Sequence, residues 1–200
     1  MDIIKHVKEN MTGRMCDEQR NVAYLLEMIR IAGDGNYLEI GTLHGGSLCA
    51  VALWKKEHKQ FGTCYAIDPL NGYYTDYLNV KKRGCAVDPI TKIPVAIETV
   101  KANLRKFGVD RRVKIIQEKS DPFPLQGVQF AVTYIDGDHW GEAPLKDWLA
   151  VKDITTQFVI FDNYSPSHPD VIEAAHFAAD DPQWDKFMHA GITYALRRKA

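Results

Sequence analysis

Cysteine is sparse in this chain, and its placement excludes more than it offers: Cys16, Cys49, Cys64 and Cys85 stand apart, with no CxxC pair among them. That argues against a zinc ribbon or a disulfide framework and for reduced thiols in a cytoplasmic protein, with Cys49 and Cys64 as small core residues. Long apolar runs are missing as well. The longest are strand-sized, so none is expected to span a bilayer, and the opening MDIIKHVKENMTGRM is charged throughout, unlike a secretory leader. Charge of one sign is lacking too. A formal net charge of −1 gives no polybasic surface, so neither nucleic acid nor membrane is an expected partner. No P-loop, zinc-ligand cluster or Ser/His/Asp nucleophile motif occurs. What is present is 200 residues, 46% hydrophobic and 26% charged, enough to bury the core of one compact domain over 1–200.

The most informative stretch is YLEIGTLHGGS, residues 37 to 47, where a short apolar strand runs into Glu39 and a glycine-rich turn. Gly41, Gly45 and Gly46 supply dihedrals that other residues resist and let backbone pass close to a ligand. Ser47 opens the helical run SLCAVALWKKEH, whose free N–H groups would face whatever lies over the turn. The spacing reads ExGxxxGxS, not the dinucleotide fingerprint GxGxxG. Alone, it reads also as a tight strand-to-helix connection. Three later strands sharpen the choice: YAIDPL carries Asp68, VTYIDGDHW carries Asp136 and FVIFDN carries Asp162. In open α/β sheets ligands bind at the carboxyl edge of the strands, and an acid ending the second strand is the ribose contact of doubly wound folds. Glu39, Asp68, Asp136 and Asp162 are therefore expected along one edge.

The remaining pattern alternates. A helix capped by Asp17, made amphipathic by Val22, Leu25, Leu26 and Ile29 and stopped by Gly33 defines an N-terminal helical segment, 1–33. Strands are expected at 37–40, 64–68, 113–118, 131–135 and 157–161, and helices at 47–58, 95–107 and 142–152. DKFMHAGITYALRRK reads as an antiparallel hairpin joined at Ala190 and Gly191. Segment 71–94 lacks periodicity and is too long for an ordinary connection, which marks it as a lid or substrate loop with Tyr73, Tyr74 and Tyr77 in it. Strands alternating with helices imply a parallel sheet covered on both faces, and the hairpin fits as an antiparallel addition at one edge.

Taken in order, ExGxxxGxS, IDP, VKIIQEKS, IDGDHxxExxxxDW and FDN resemble class I S-adenosylmethionine-dependent methyltransferases over roughly residues 20 to 165. They are most similar to small metal-assisted O-methyltransferases, including the branch with the IDGDH motif that acts on sugar hydroxyls. The resemblance implies an α/β fold, a doubly wound, mostly parallel seven-stranded sheet with the last strand inserted antiparallel. It also implies S-adenosylmethionine as cofactor, held by Glu39, Gly41, Thr42, His44, Gly45, Ser47, Asp68, Glu118, Ser120 and Asp136. For His44 the competing reading is a solvent-facing loop histidine; for Glu118 and Ser120 it is an ordinary strand end. Trp140 and Tyr164 are candidates for the acceptor wall.

Asp136, Asp162 and Asn163 offer hard oxygen donors suited to Mg²⁺ or a similar divalent cation, the use the family makes of such residues. Asp162 and Asn163 read alternatively as a turn cap. An alcohol must lose its proton to attack a sulfonium methyl group, and Asp138 and His139 stand next to Asp136 as candidate bases. His139 has the better intrinsic pKa for the task. The expected partner is a small hydroxylated acceptor such as a sugar or a phenol, and a larger one would have to bind at the surface or across a homo-oligomer. Two other classes stay open, an NAD-linked oxidoreductase on a related fold and a catalytically idle S-adenosylmethionine-binding module.

Overall fold

The computed structural model describes residues 1–15, 19–72, 87–88 and 90–199. Cys16, Asp17 and Cys85, together with Tyr73, Tyr74 and Tyr77 of the expected lid, lie outside the described residues. The strands are β1 (Tyr37–Ile40), β2 (Cys64–Ile67), β3 (Val113–Ile116), β4 (Phe130–Ile135), β5 (Thr155–Phe161), β6 (Trp184–Ala190) and β7 (Thr193–Arg198). They form a seven-stranded sheet ordered β3-β2-β1-β4-β5-β7-β6. β1 to β5 are parallel, and β7 enters antiparallel between β5 and β6. This is the doubly wound sheet with a C-terminal antiparallel hairpin that the resemblance implied.

Every residue of β1, β2 and β4 is buried, which explains why these strands read as continuous apolar runs: helices cover both faces of a parallel sheet. One face carries α1 (Ile3–Asn10), α2 (Gln19–Ala32), α3 (Gly46–Glu57) and α4 (Ile97–Lys106), packed on Tyr37, Cys64, Ala66, Val132, Tyr134, Phe158 and Ile160. The other carries α5 (Ala143–Val151) and α6 (Pro169–Ala179), packed on Leu38, Ile40, Ile67, Ile135, Val159 and Phe161. The two sets alternate along each strand, as a period of two requires.

Two expectations need correction. β3 ends at Ile116 rather than reaching residue 118, so Glu118 and Ser120 sit in the turn that follows. α6 was not foreseen, because its buried stripe is Val171, Ala174, Ala175 and Ala178, too small to stand out, and it starts at Pro169 in a stretch that reads as loop; proline is well suited to a first helical position. Among the described residues no helix is long and apolar enough to cross a membrane.

Candidate active site

Strand parity does more than gather carboxylates at an edge. Asp68, Asp136 and Asp162 continue the rows of Ala66, Tyr134 and Ile160, and Glu39 continues that of Tyr37, so all four follow positions that face α2 and α3. Register sets their depth. Backbone bonds from Gly41 N to Ile67 O, Asp136 N to Ile40 O and Asp162 N to Ile135 O place Gly41, Asp68, Asp136 and Asp162 level with one another, just past the strands. Glu39 lies within β1, two residues lower, and is completely buried.

Glu39 is met by hydroxyls. Tyr37 Oη donates to its Oε2 and Thr42 Oγ1 to its Oε1, each at 2.7 Å, and Ser47 adds a third side-chain hydrogen bond. Burial still pushes its pKa up to about 7, against those bonds. Asp68 serves the turn from the neighbouring strand: its Oδ2 accepts from Thr42 N at 2.7 Å and Leu43 N at 3.2 Å, and its Oδ1 from Leu70 N at 2.7 Å. A carboxylate has about four acceptor sites. Three are committed to the backbone, leaving room for roughly one more donor.

The glycines are needed for contacts inside the protein. Gly41 has φ +82°, and a Cβ there would fall 2.1 Å from the Asp136 carbonyl oxygen. Gly46 lies under Met15, whose Cβ would be 2.6 Å from an added methyl. The chain at 13–15 thus crosses the start of α3.

His44 departs from both readings of it. Its side chain is fully buried, Nδ1 accepts from Arg14 N at 3.2 Å, and Nε2 lies 3.4 Å from the Ile93 carbonyl. Burial holds the imidazole below its ordinary pKa. The ring is neither solvent-facing nor open to a cofactor; it fastens the glycine turn to residues 14 and 93, helped by the ion pair of Arg14 Nε with buried Asp88 at 2.6 Å.

At β4 and β5 the environment is different. Asp136 is held well above the usual carboxylate range by burial and then by the charge of Glu39, and it hydrogen-bonds with Asp162. Asp162, 2% exposed, is raised by burial and by Asp136. Two carboxyl groups can hydrogen-bond only if one carries a proton, as like charges in contact resist joint ionisation. His139 stands beside the pair, its Nε2 3.4 Å from Asp136 Oδ1 but without hydrogen-bond alignment. Burial lowers its pKa, favouring the neutral ring. Asp138 is exposed, and its Oδ1 accepts from Trp140 N at 3.2 Å, capping its own turn.

Asn163 adopts a left-handed conformation, φ +58°, with its backbone N–H bonded to the Asp162 carboxyl, the turn cap that the sequence also allowed. Glu118 is exposed, and Ser120 hydrogen-bonds to Asp147. The Trp140 and His168 rings pack with centroids 5.5 Å apart, and His168 meets His139 edge-on at 5.1 Å. Tyr164 does not join them. It stacks on Tyr194 at 4.7 Å and bonds His176, away from the expected acceptor wall.

Two residues at this edge escaped sequence reasoning. Asp147 of α5 is 3% exposed and raised to about 6 by burial, with Asp138 adding to the shift; a Cβ on Gly137 would lie 3.3 Å from its Oδ2. It was visible as the acid of ExxxxDW. Asn21 of α2 donates from Nδ2 to Asp162 Oδ1 at 3.0 Å, and the signal for it was an amide four residues before Leu25 on the buried stripe.

Among the described residues no group of three His, Cys, Asp or Glu side chains is gathered to hold a metal. A facing carboxylate pair is a smaller donor set, and it fits a hard ion such as Mg²⁺, which keeps several waters and takes one or two carboxylates.

The family profile described as "Methyltransferase domain" matches residues 38–164, more than half of the chain. An uncharacterized protein of Acanthamoeba polyphaga mimivirus is 27% identical over 192 residues, covering 92% of this chain and 76% of its own length. The SAH-bound Podospora anserina methyltransferase PaMTH1 superposes with a TM-score of 0.69 at 15% identity, over 100% of this chain and 89% of its own. The O-methyltransferase NovP gives 0.67 at 19% identity, over 90% and 79%.

Proposed function

Because the chain belongs to the methyltransferase-domain family, we propose that it moves a methyl group from S-adenosylmethionine to a hydroxyl of a small acceptor, a sugar or a phenol, with a divalent cation such as Mg²⁺ at Asp136 and Asp162. The observation that carries this reading is the placement of Glu39, Asp68, Asp136 and Asp162 on one face at the carboxyl edge of the sheet, where α/β folds bind ligands.

S-adenosylmethionine supplies a methyl group on a sulfonium, and a divalent cation lowers the pKa of a bound hydroxyl. The protein provides the geometry. Asp68 holds the glycine turn by Thr42 N and Leu43 N and has acceptor capacity left for a ribose hydroxyl. Glu39 fixes the floor through Thr42, with Gly41, Gly45 and Ser47 completing the turn. Asp136 and Asp162, with the Asn163 amide next in sequence, are the proposed cation donors. His139, neutral and against Asp136, is the proposed acceptor of the substrate proton, with Asp138 as the other candidate. Trp140 and His168 flank it with the rings that a planar acceptor or a sugar face would stack on.

The likeness in fold to NovP and PaMTH1 supports the cofactor and the O-methyl reading. The test is a panel of hydroxylated sugars and phenols incubated with S-adenosylmethionine and Mg²⁺, read by mass for the gain of one methyl group and for its loss with a chelator. Methyl transfer that survives complete chelation would remove the cation. S-adenosylhomocysteine binding with no transfer across a broad panel would favour an idle binding module.

A further inference from the structure

Asn21 sits in the first turn of α2 with 0% exposure, on the stripe continued by Leu25 and Met28, both buried. An amide placed there costs more than a leucine would unless its hydrogen bonds are met. What it meets is Asp162: Nδ2 donates to Oδ1 at 3.0 Å across 141 positions of sequence. Asp162 also receives the backbone N–H of Asn163 and a side-chain hydrogen bond from Tyr134. Three donors converge on this carboxyl. Level with it on the neighbouring strand end stands a second carboxyl, Asp136. Two carboxyls side by side at the sheet edge, one of them fixed from behind by Asn21, are a donor pair that a hard cation would share.

On the proposed cation reading, we infer that Asn21 is a positioning residue for that cation: it fixes Asp162 Oδ1 from α2 and so couples cation binding to the docking of α2 on the sheet. Partners that orient a ligating carboxylate typically change metal affinity by 10- to 100-fold when removed. The N-terminal helical segment then acts in the site as well as covering the sheet.

The test uses Mn²⁺ alone as the probe, titrated by calorimetry into the full chain, into Asn21→Leu, which keeps the branched skeleton and removes the donor, and into Asn21→Ser, which shortens it. The expected result is Mn²⁺ affinity about 10- to 100-fold weaker in both variants, with S-adenosylhomocysteine affinity within about twofold of wild type and the metal-free thermal midpoint unchanged or higher in Asn21→Leu. In the wild-type chain, Mn²⁺ should slow hydrogen exchange across α2. Should the variants not fold, this exchange decides: no slowing overturns the coupling. Unchanged Mn²⁺ affinity in the variants, with or without a lower thermal midpoint, would make Asn21 a packing residue and overturn the inference while the cation reading stands. No Mn²⁺ binding by wild type would overturn the cation reading and this inference together.

Discussion

The carboxylates on the left and right halves of the sheet edge differ in what faces them. Glu39 and Asp68, on β1 and after β2, are surrounded by dedicated donors: Tyr37, Thr42 and Ser47 for one, and the backbone of residues 42, 43 and 70 for the other. Asp136 and Asp162, after β4 and β5, face each other with His139 alongside. The first pair builds a turn. The second sets two acids face to face at the edge where open α/β sheets bind ligands, which makes it the candidate functional pair.

The sharpest break in this contrast comes from the second pair. Asp162→Asn should abolish Mg²⁺-dependent turnover, because it removes one of the two proposed carboxylate donors to the cation. A variant that keeps its activity, measured by methyl transfer with and without chelator, would show that the pair is structural. Next in size is His139→Ala. Turnover should fall by ~10² to 10⁴, the usual contribution of a general base, with cofactor affinity little changed. Wild-type turnover across neutral pH would shift the role to Asp138 or to the cation alone.

The first pair predicts stability effects. Glu39 has a folded-state pKa raised from 4.5 to about 7. A carboxyl raised in this way contributes its full stability below about pH 4.5 and loses it as pH rises through about 7. The loss amounts to about 3 kcal/mol at 1.4 kcal/mol per pKa unit. Glu39→Gln should flatten this part of the pH-dependence in denaturant unfolding. Asp147, raised to about 6, should act in the same sense over a narrower window. An unchanged slope in Glu39→Gln would mean that the ionised acid is accommodated without cost. Smallest is Asp68→Ala, expected to weaken S-adenosylhomocysteine binding at least tenfold, in line with ~1.5 to 3 kcal/mol for a hydrogen bond to a charged group. It should also loosen the turn through Thr42 and Leu43. Calorimetry showing full affinity would confine Asp68 to that second role.

The contrast also marks what a sequence can carry. The strands with their acids were legible, since continuous apolar runs ending in Asp are a local signal, and so was the terminal hairpin, although its turn falls at Gly191 and Ile192 rather than at Ala190 and Gly191. Depth was not legible. Glu39 and Asp68 look alike as acids near strand ends, yet register puts one inside the sheet and the other past it. Nor were partners distant in sequence: His44 is defined by Arg14 and Ile93, Gly41 by the Asp136 carbonyl and Asp162 by Asn21, each a contact made by chain crossing rather than by spacing. Glycines that suggested a ligand turn out to admit neighbouring protein atoms, a use that leaves the same sequence signature.

The measurement that bears most directly on the whole reading is a pair of calorimetric titrations of the wild-type chain, S-adenosylhomocysteine against NAD. One saturable site for S-adenosylhomocysteine, weakened in Asp68→Ala, with no heat from NAD is the expected result. Saturable NAD binding with none for S-adenosylhomocysteine would contradict the methyltransferase assignment of this edge and point to an oxidoreductase built on a related sheet.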